Sequence, residues 1–165
     1  MVAIAKGNKA TFAAGCFWGV QYYFDQVPGV TASQAGYSGG HVANPTYEQV
    51  CNEPTGHAEA VLLEFNQTQV SYETLVKHLF RMHDPTQVNR QGPDVGEQYR
   101  SAIFYFDEEQ KQTAEDIKTT LQPNFDEPIA TEITAASEFY PAEDYHQKYT
   151  EKTGRGMCHV PYRPI

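Results

Sequence analysis

Residues 9–19 read KATFAAGCFWG and join the first strand of the chain to its first helix. The run from Lys9 to Ala14 is typical of a short strand, and Gly15 ends it. Apolar residues then recur at helical spacing from Cys16 until Pro28, where a helix has to stop. This stretch therefore predicts that the chain turns from a strand into a helix at a glycine followed by a cysteine.

Strands and helices continue to alternate along the chain. Strands are predicted over residues 30–34, 57–65, 101–106 and 129–136, and helices after Ser71, after Asp107 and over residues 142–150. Residues 36–56 and 83–100 are rich in polar residues, Gly and Pro and are predicted to be two long loops. The alternation favours an α/β or α+β sheet covered by helices. Long loops inside a compact domain are usually functional, so we expect the site there.

The length of 165 residues suits one domain, which is large enough to bury its own core. No stretch has the composition of a linker. We therefore predict a single catalytic domain over residues 1–165. Within it, residues 154–165 contain Gly and Pro without periodicity, which predicts an irregular, extended and partly mobile tail.

The charge of the chain excludes some classes of partner. The sequence has 12 Lys and Arg against 21 Asp and Glu, a formal net charge of -9, and its basic residues are scattered singly. An acidic surface repels phosphate backbones, so nucleic acid is not expected as a partner. No apolar run approaches the roughly 20 residues of a membrane span, and no secretory signal pattern is present. We expect a cytoplasmic protein without a membrane partner.

The cysteines favour reactive thiol chemistry. Three of them lie far apart in the sequence: Cys16, Cys51 and Cys158. An odd number at wide spacing does not fit a disulfide framework, and the absence of a CxxC pair disfavours zinc. The histidines that invite a metal or Cys–His site fit no common zinc spacing: His57, His83 and His146. The sequence therefore predicts no metal site.

Cys16 lies where the predicted helix begins. There its thiol meets the positive end of the helix macrodipole and unpaired backbone N–H groups, which favour the thiolate. The alternative is a buried, inert thiol, which is the commoner state of an isolated cysteine. The strand-to-helix position and the adjoining glycines favour the reactive interpretation without settling it.

Three motifs together suggest a family. They are GCFWG at residues 15–19, GHAEAV at 56–61 and HDPTQVNRQGPDVGEQYRS at 83–101. In this order and spacing they resemble the peptide methionine sulfoxide reductases of the A type, from about Thr11 to His146. The resemblance implies an α+β fold. This fold would be a two-layer sandwich, a ferredoxin-like α-β plait with a mixed sheet covered by helices, long loops and an extended C-terminal tail.

The resemblance also implies a reaction. Members of the family reduce methionine-S-sulfoxide, free or in proteins, to methionine. Cys16 would attack the sulfoxide sulfur and pass through a sulfenic acid that a second thiol resolves as a disulfide. Thioredoxin is the implied reductant, and oxidised proteins, peptides and free methionine sulfoxide are the implied substrates. Neither a metal nor an organic cofactor is implied, and we expect a monomer.

Glu59 is the candidate general acid. Strand alternation places it on the same face as Val61, Leu63 and Phe65, where burial would raise the pKa of its carboxyl group. Sulfoxide reduction needs a proton at the oxygen as the S–O bond weakens. Periodicity alone leaves a surface position equally open. The resemblance makes Glu59 the expected proton donor.

Five further residues gain a role only through the resemblance. Phe17 and Trp18 correspond to the wall that receives the substrate methyl group, whose burial adds about 0.8 kcal/mol. Tyr47 and Tyr99 correspond to phenols that donate hydrogen bonds to the sulfoxide oxygen. Asp94 corresponds to a residue that helps to bind and orient the reacting groups.

The resolving thiol is expected to be Cys158. It lies in the glycine-rich tail segment GRGMCHV, and many members of the family place a resolving cysteine near the C terminus. Cys51, in the first long loop, is the alternative. An external thiol that reduces the sulfenic acid directly is a further alternative.

The residues alone do not exclude two other functions. The first is another thiol enzyme, such as a peroxidase or a glutathione-dependent transferase. A peroxidase typically places Thr and Arg beside its cysteine, whereas Phe17 and Trp18 suit a methyl group better. The second is a module that binds methionine-rich peptides. That module would keep its function after the substitution Cys16→Ser, and a reductase would lose it.

Overall fold

The computed structural model describes residues 8–156 and 159–165. The strands are β1 (Lys9–Ala14), β2 (Val30–Ser38), β3 (Ala58–Phe65), β4 (Arg90–Gln91), β5 (Asp94–Val95), β6 (Ser101–Tyr105), β7 (Glu132–Ala135) and β8 (Phe139–Pro141). The α-helices are α1 (Phe17–Asp25), α2 (Tyr47–Asn52), α3 (Tyr72–Met82), α4 (Glu108–Leu121) and α5 (Tyr149–Thr153). Turns of 3₁₀ helix lie at Glu97–Tyr99, Gln122–Asn124 and Asp144–His146.

One sheet contains six of these strands. Their order is β7-β6-β1-β3-β2-β8, and β4 pairs with β5 as a separate ribbon. Every neighbouring pair in the sheet is antiparallel except β6 and β7, which run parallel. The protein is therefore an α+β fold with a mixed sheet and covering helices, as the alternation and the resemblance predicted.

The two faces of the sheet are packed differently. On one face, alternate residues of β1 and β3 join residues of α1, α3 and α4 in the main core, among them Phe12, Phe24 and Leu63. The other face carries mainly alanines around Phe104: Ala13, Ala58, Ala60 and Ala102. Strand alternation puts Glu59 on the helix-covered face, where burial removes it from water.

The first predicted loop contains regular structure. Strand β2 continues to Ser38 rather than ending at residue 34, and helix α2 follows within the stretch. Thr46 caps α2 by accepting the backbone N–H of Gln49, whose side chain accepts the N–H of Thr46 in return. The prediction of a continuous loop was wrong because six residues are too few to show helical periodicity. The TxxQ signature of this capping box was the signal available in the sequence.

The second predicted loop is also partly ordered. Residues 83–100 contain the two-residue strands β4 and β5 and the 3₁₀ turn that ends at Tyr99. The ribbon closes through Gly92, which has a φ of 58°. Strands of two residues are too short for an alternation of polar and apolar residues to indicate them.

The C-terminal third differs from its predicted elements. The predicted helix over 142–150 is instead a 3₁₀ turn followed by α5, and strand β8 precedes them. Lys148 separates the turn from α5 because its backbone adopts a left-handed conformation with a φ of 58°. A non-glycine residue in that region interrupts a helix, and its position could not be anticipated from residue type.

The N-terminal caps of α3 and α4 agree with the sequence prediction. Ser71 caps α3 and Asp107 caps α4, each accepting the backbone N–H of the residue three positions later.

Residues 154–156 and 159–165 lie outside helices and strands. The later segment is held to α3, since the Val160 N–H donates to the Met82 carbonyl and Arg81 donates to the Arg163 carbonyl. None of the helices in the described ranges is both long and apolar enough to cross a bilayer.

Candidate active site

The start of α1 positions Cys16. Gly15 turns the chain with a φ of 90°, and Cys16 is the N-cap residue of α1. A Cβ atom on Gly15 would lie 2.8 Å from the side chain of Gln91, so the turn needs glycine for both its backbone angle and its space. The first turn of α1 carries no acidic residue of its own, and the half-buried Cys16 lies at the positive end of its macrodipole.

Glu59 lies beside this helix start. Its side chain is 1% exposed, and its Oε1 accepts the backbone N–H of Phe17 at 3.1 Å. Burial, with a smaller contribution from the charge of Asp94, raises the pKa of Glu59 to about 8, and the Phe17 N–H partly opposes the shift. The other carboxyl oxygen, Oε2, is buried and has no hydrogen-bond partner among the described residues. At neutral pH this group can therefore hold a proton within the site.

Two phenols face the same space. Tyr47 is the first residue of α2, and Tyr99 ends the 3₁₀ turn after β5. Burial is the main cause of the raised pKa of each hydroxyl, and the charge of Glu59 raises both further. The charges of Asp94 and Cys16 also raise the pKa of Tyr99. Both tyrosines therefore remain protonated hydrogen-bond donors near the cysteine and the carboxyl group.

Cys51 lies close to both phenols. It follows Tyr47 by one helical turn on α2, and its thiol is hydrogen-bonded to the side chains of both Tyr47 and Tyr99. Burial raises the pKa of the Cys51 thiol, and the charges of Glu59 and Glu143 add to the rise. The two hydrogen bonds only partly offset it. Cys51 is therefore a protonated thiol at neutral pH that links α2 to the loop carrying Tyr99.

An aromatic wall adjoins the thiol of Cys16. Phe17 is fully buried, and its ring lies 6.3 Å from that of Tyr47 at an interplanar angle of 20°. Trp18 is half-buried and stacks on Tyr149, with ring centroids 3.9 Å apart. The Trp18 indole N–H donates to Nδ1 of His146 at 2.9 Å. These rings form an apolar surface next to the polar groups of the site.

Glu143 ties the C-terminal third of the chain to this site. One of its carboxylate oxygens accepts the Tyr37 hydroxyl at 2.9 Å, and the other accepts the backbone N–H of Tyr47 at 3.1 Å. The N-terminus of α2 is therefore held from outside the helix. Glu143 was not predicted from the sequence, because neither its residue type nor its spacing indicated a contact with α2.

Most of the residues singled out from the sequence lie in this one region. They are Cys16, Phe17, Trp18, Tyr47, Glu59, Asp94 and Tyr99. Cys158, the expected resolver, lies outside the described residues. Sequence analysis missed that Cys51 is bonded to both phenols, although the YEQVC run places Tyr47 and Cys51 one turn apart once α2 is recognised. It also left His146 as an ordinary structural histidine.

The histidines considered as metal ligands are all buried and hydrogen-bonded. His57 contacts the Gly40 N–H and the Val42 carbonyl, and His83 contacts the Leu79 carbonyl and Ser101. Within residues 8–156 and 159–165, no group of three His, Cys, Asp or Glu side chains could hold a metal ion.

The arrangement suits one type of chemistry. It combines a thiol at a helix N-terminus, a buried carboxyl group that holds a proton, two phenol donors and an apolar wall. A substrate with a small apolar group and a polarised oxygen can place each part against its complement. The thiol can then attack while the carboxyl group protonates the departing oxygen.

Comparison with known proteins gives a consistent result. A profile of the family described as "Peptide methionine sulfoxide reductase" matches residues 8–165. Peptide methionine sulfoxide reductase MsrA of Methanosarcina acetivorans is 60% identical over 149 residues, which cover 89% of this chain and 79% of the relative.

Solved structures agree with the sequence relatives. The reduced form of Mxr1 from Saccharomyces cerevisiae superposes with a TM-score of 0.86 at 33% identity, covering 94% of this chain and 92% of the other. Mxr1 in complex with Trx2 shares the fold, with a TM-score of 0.62 at 24% identity and 90% coverage of both chains. By its sequence matches and by its architecture, the chain belongs to the peptide methionine sulfoxide reductase family.

Proposed function

We propose that this chain reduces methionine-S-sulfoxide, free or in proteins, to methionine. The observation that carries the proposal is the carboxyl group of Glu59, buried beside Cys16 with a pKa near 8 and with Oε2 unpartnered among the described residues. Such a group delivers a proton to an oxygen that develops negative charge. A surface glutamate could not do so at neutral pH.

In the first step, the Cys16 thiolate attacks the sulfoxide sulfur while Glu59 protonates the oxygen. The oxygen then passes to the Cys16 sulfur, so that a thiol and a sulfoxide give a sulfenic acid and a thioether. The phenols of Tyr47 and Tyr99 donate hydrogen bonds to the oxygen in this step. Both hydroxyls already converge on a single sulfur atom, that of Cys51, which supports their acting as a pair.

The remaining site residues hold the substrate. Phe17 and Trp18 receive its methyl group, and Asp94 orients the reacting groups. The stacking of Phe17 on Tyr47 supports this division, since it places an apolar ring next to a residue that carries a hydroxyl donor. A site of this kind distinguishes the two sulfoxide epimers, because only one places its oxygen against the donors and its methyl group against the rings.

Cys158 is proposed to resolve the sulfenic acid. Its thiol would displace the oxygen as water and form a disulfide with Cys16. Two contacts support this assignment. Gly156 packs beside Trp18, and the ring of His159 lies 2.6 Å from the Ala14 carbonyl, so the described residues on both sides of position 158 contact the chain around Cys16. Cys51 is the alternative resolver.

Thioredoxin is proposed to reduce the disulfide. The Mxr1 complex with Trx2 supports it as a fold-level precedent. We further propose that the enzyme is a cytoplasmic monomer that repairs oxidised proteins and peptides without a metal or organic cofactor, and that nucleic acid is not a partner.

We also infer that the core is a ferredoxin-like α-β plait within a single domain of residues 1–165. The support is that β1, β2, β3 and β6 lie in the order β6-β1-β3-β2 with antiparallel neighbours, while α1 follows β1 and α3 follows β3. Strands β7 and β8 would then be additions at the two edges.

Mass spectrometry tests the proposed function directly. The reduced protein is mixed with excess methionine-S-sulfoxide and no reductant, and methionine, protein mass and linked peptides are measured. We expect about one equivalent of methionine, a loss of roughly 2 Da and a peptide that joins Cys16 to Cys158.

Other outcomes of the mass spectrometry experiment would change the assignment of the resolving thiol or contradict the proposed function. A peptide that joins Cys16 to Cys51 would keep the reductase and reassign the resolver. Absence of methionine from a folded, reduced sample would contradict the proposed function. The variant Cys16→Ser is the control and should form no methionine.

A further inference from the structure

His159 is the residue that follows the proposed resolving thiol, and the proposed reaction gives its side chain no part. Its Nε2 lies 2.6 Å from the carbonyl oxygen of Ala14, the last residue of β1. A carbonyl oxygen only accepts hydrogen bonds, so Nε2 carries the hydrogen and is the donor. The C-terminal tail is thereby bonded to the chain two residues before Cys16.

The imidazole of His159 packs against the chain on both sides of Cys16. Before the cysteine, a Cβ atom on Gly15 would lie 3.6 Å from Nε2 of the imidazole. After the cysteine, a Cβ atom on Gly19 would overlap Nδ1 and lie 2.8 Å from Cε1 of the same ring. The ring therefore lies directly against the backbone that leads into Cys16 and against the first turn of α1.

The hydrogen bond to Ala14 distinguishes His159 from an apolar residue of similar size. With the hydrogen on Nε2, Nδ1 of the neutral ring is an acceptor, and it is buried without a hydrogen-bond partner in the described part of the chain. Burial lowers the pKa of the imidazole and keeps it neutral at pH 7, although the bond to Ala14 and the charge of Asp94 oppose the shift. A buried acceptor without a partner is unfavourable, so packing alone would favour an apolar side chain here.

The later part of the tail is held to a different element. Arg81, near the end of α3, donates from Nη1 to the carbonyls of Arg163 and Pro164 at 3.0 and 3.1 Å. These two bonds involve neither β1 nor α1. They hold the tail to the protein without fixing it to the chain around Cys16, which is what the contact of His159 does.

We propose that His159 is a positioning residue for the resolving step, because its bond to Ala14 holds the adjoining thiol within reach of the sulfenic acid. In that step the sulfurs of Cys16 and Cys158 form a bond, the S–O bond breaks, and the thiol proton leaves with the hydroxyl group as water. Consecutive Cα atoms are about 3.8 Å apart, so the place at which residue 159 is held limits the reach of residue 158. The inference rests on the proposed function, since it assigns a positioning group to one step of that reaction.

This role affects one step of the reaction and spares the other. The rate of an intramolecular reaction depends on the effective concentration of one group at the other, which falls when the tether between them is loosened. Attack on the sulfoxide uses no atom of His159. Methionine should therefore form at the normal rate in a variant whose disulfide forms slowly.

Three variants test the bond to Ala14. His159→Leu removes the donor, His159→Asn places its amide near the position of Nδ1 and away from Ala14, and His159→Gln places an amide N–H near the position of Nε2. In a single turnover with methionine-S-sulfoxide and no reductant, all three should form methionine at the wild-type rate. In the Leu and Asn variants, the disulfide between Cys16 and Cys158 should form about tenfold more slowly, and dimedone should trap the sulfenic acid.

The Gln variant should restore the rate of disulfide formation. An amide reproduces the hydrogen bond of the imidazole but not its capacity to take up a proton, so this rescue separates positioning from proton transfer. A Gln variant as slow as the Leu variant would mean that the bond to Ala14 is not the cause, which would overturn the inference.

Glutathione gives a second readout that needs no turnover. The protein is equilibrated with mixtures of reduced and oxidised glutathione, and the peptide that joins Cys16 to Cys158 is quantified by mass spectrometry. The equilibrium gives the effective concentration of the two thiols, which should fall about tenfold in the Leu and Asn variants of His159 and less than about twofold in the Gln variant. Equal values in the wild type and the Leu variant contradict the inference.

Arg81→Met is the matched control. It removes the two bonds from α3 to the carbonyls of Arg163 and Pro164, so it loosens the same tail without touching the contact at Ala14. It should change the rate of disulfide formation and the effective concentration by less than about twofold. A fall equal to that of His159→Leu would mean that any loosening of the tail has this effect, which would overturn the inference.

The two proposals can fail separately. A wild-type chain that produces no methionine contradicts the proposed function, and the glutathione equilibrium then still tests the role of His159. A wild-type disulfide between Cys16 and Cys51 contradicts this inference and leaves the reductase in place. A working wild type beside a His159→Leu variant with unchanged disulfide formation contradicts this inference alone. If His159→Leu does not fold, the comparison of the Asn and Gln variants carries the test.

Discussion

At the scale of single residues, Glu59 shows how burial and sequence position combine. Alternation along β3 predicted its face, and its 1% exposure follows from the helices packed there. Periodicity could not predict the strength of the effect on its pKa. That effect depends mainly on how completely the fold desolvates the side chain, and to a smaller extent on the backbone N–H of Phe17 and on Asp94, which come from distant parts of the chain.

The substitution Glu59→Gln should slow methionine formation roughly 100-fold or more in a single turnover, because an amide donates a hydrogen bond but gives up no proton. In the wild type, Glu59 loses its proton as the pH rises through about 8, so the rate should fall there. The variant should lack this alkaline decline. Rapid quench measurements from pH 6 to 10 check both expectations.

Glu64→Gln is the control for that experiment. Glu64 lies on the same strand, where alternation puts it on the opposite face from Glu59. Its substitution should leave the rate and the pH profile unchanged. A Glu59→Gln chain that keeps the full rate and the alkaline decline would remove Glu59 as the proton donor.

At the scale of elements, helix α2 depends on contacts at its N-terminal end. A helix of six residues is not stable alone, so it is held by its capping box and by the hydrogen bond that the Tyr47 N–H donates to Glu143. Tyr47 and Cys51 both lie on this helix. Its integrity therefore sets the position of two groups in the candidate site.

Thr46→Ala removes the side chain that caps α2, and we expect it to lower the free energy of unfolding by about 1 kcal/mol and to raise KM. Ser71→Ala removes a cap of the same kind from α3, which lies outside the site. It should lower stability by a similar amount and leave KM unchanged. Urea unfolding and steady-state kinetics of both variants check this, and equal KM values in the two would show that α2 does not position the site.

Elements with a clear apolar pattern could be predicted from the sequence, the short strands β1 and β6 among them, and elements without one could not. Strand β3 and the caps Ser71 and Asp107 were identified from residue patterns. The two-residue strands β4 and β5 and the six-residue helix α2 carry too few positions for a period, and the left-handed Lys148 gives no signal in its residue type. For the site, the motifs identified individual residues. The bonds between Cys51 and the phenols required the fold.

At the scale of the whole molecule, the C-terminal tail joins the first helix to α3. His159 packs against Gly19 of α1, and Val160 and Arg163 bond to the end of α3. A Cβ atom on Gly19 would overlap Nδ1 of His159 and lie 2.9 Å from the Gly156 carbonyl oxygen. Gly19 is therefore a position at which the described part of the tail approaches the helix closely.

Gly19→Ala tests this contact. In an isolated helix the substitution would stabilise by about 1 kcal/mol, but here we expect a lower Tm because the tail must move. In a His159→Ala background, the same substitution should lower Tm much less, with a coupling energy on the order of 1 kcal/mol between the two sites. A double-mutant cycle measured by thermal unfolding checks this. Additive effects would mean that the tail does not pack on α1 in solution.

The buried carboxyl group of Glu59 has a consequence for folding itself. Its pKa is about 8 in the folded chain and near 4.5 when the side chain is exposed to water, so between these values the folded state binds a proton that the unfolded state does not. Folding at neutral pH is then accompanied by proton uptake, and the contribution of Glu59 to stability declines as the pH rises from about 4.5 to about 8. The proposed proton donor thus makes the folded state more sensitive to alkali.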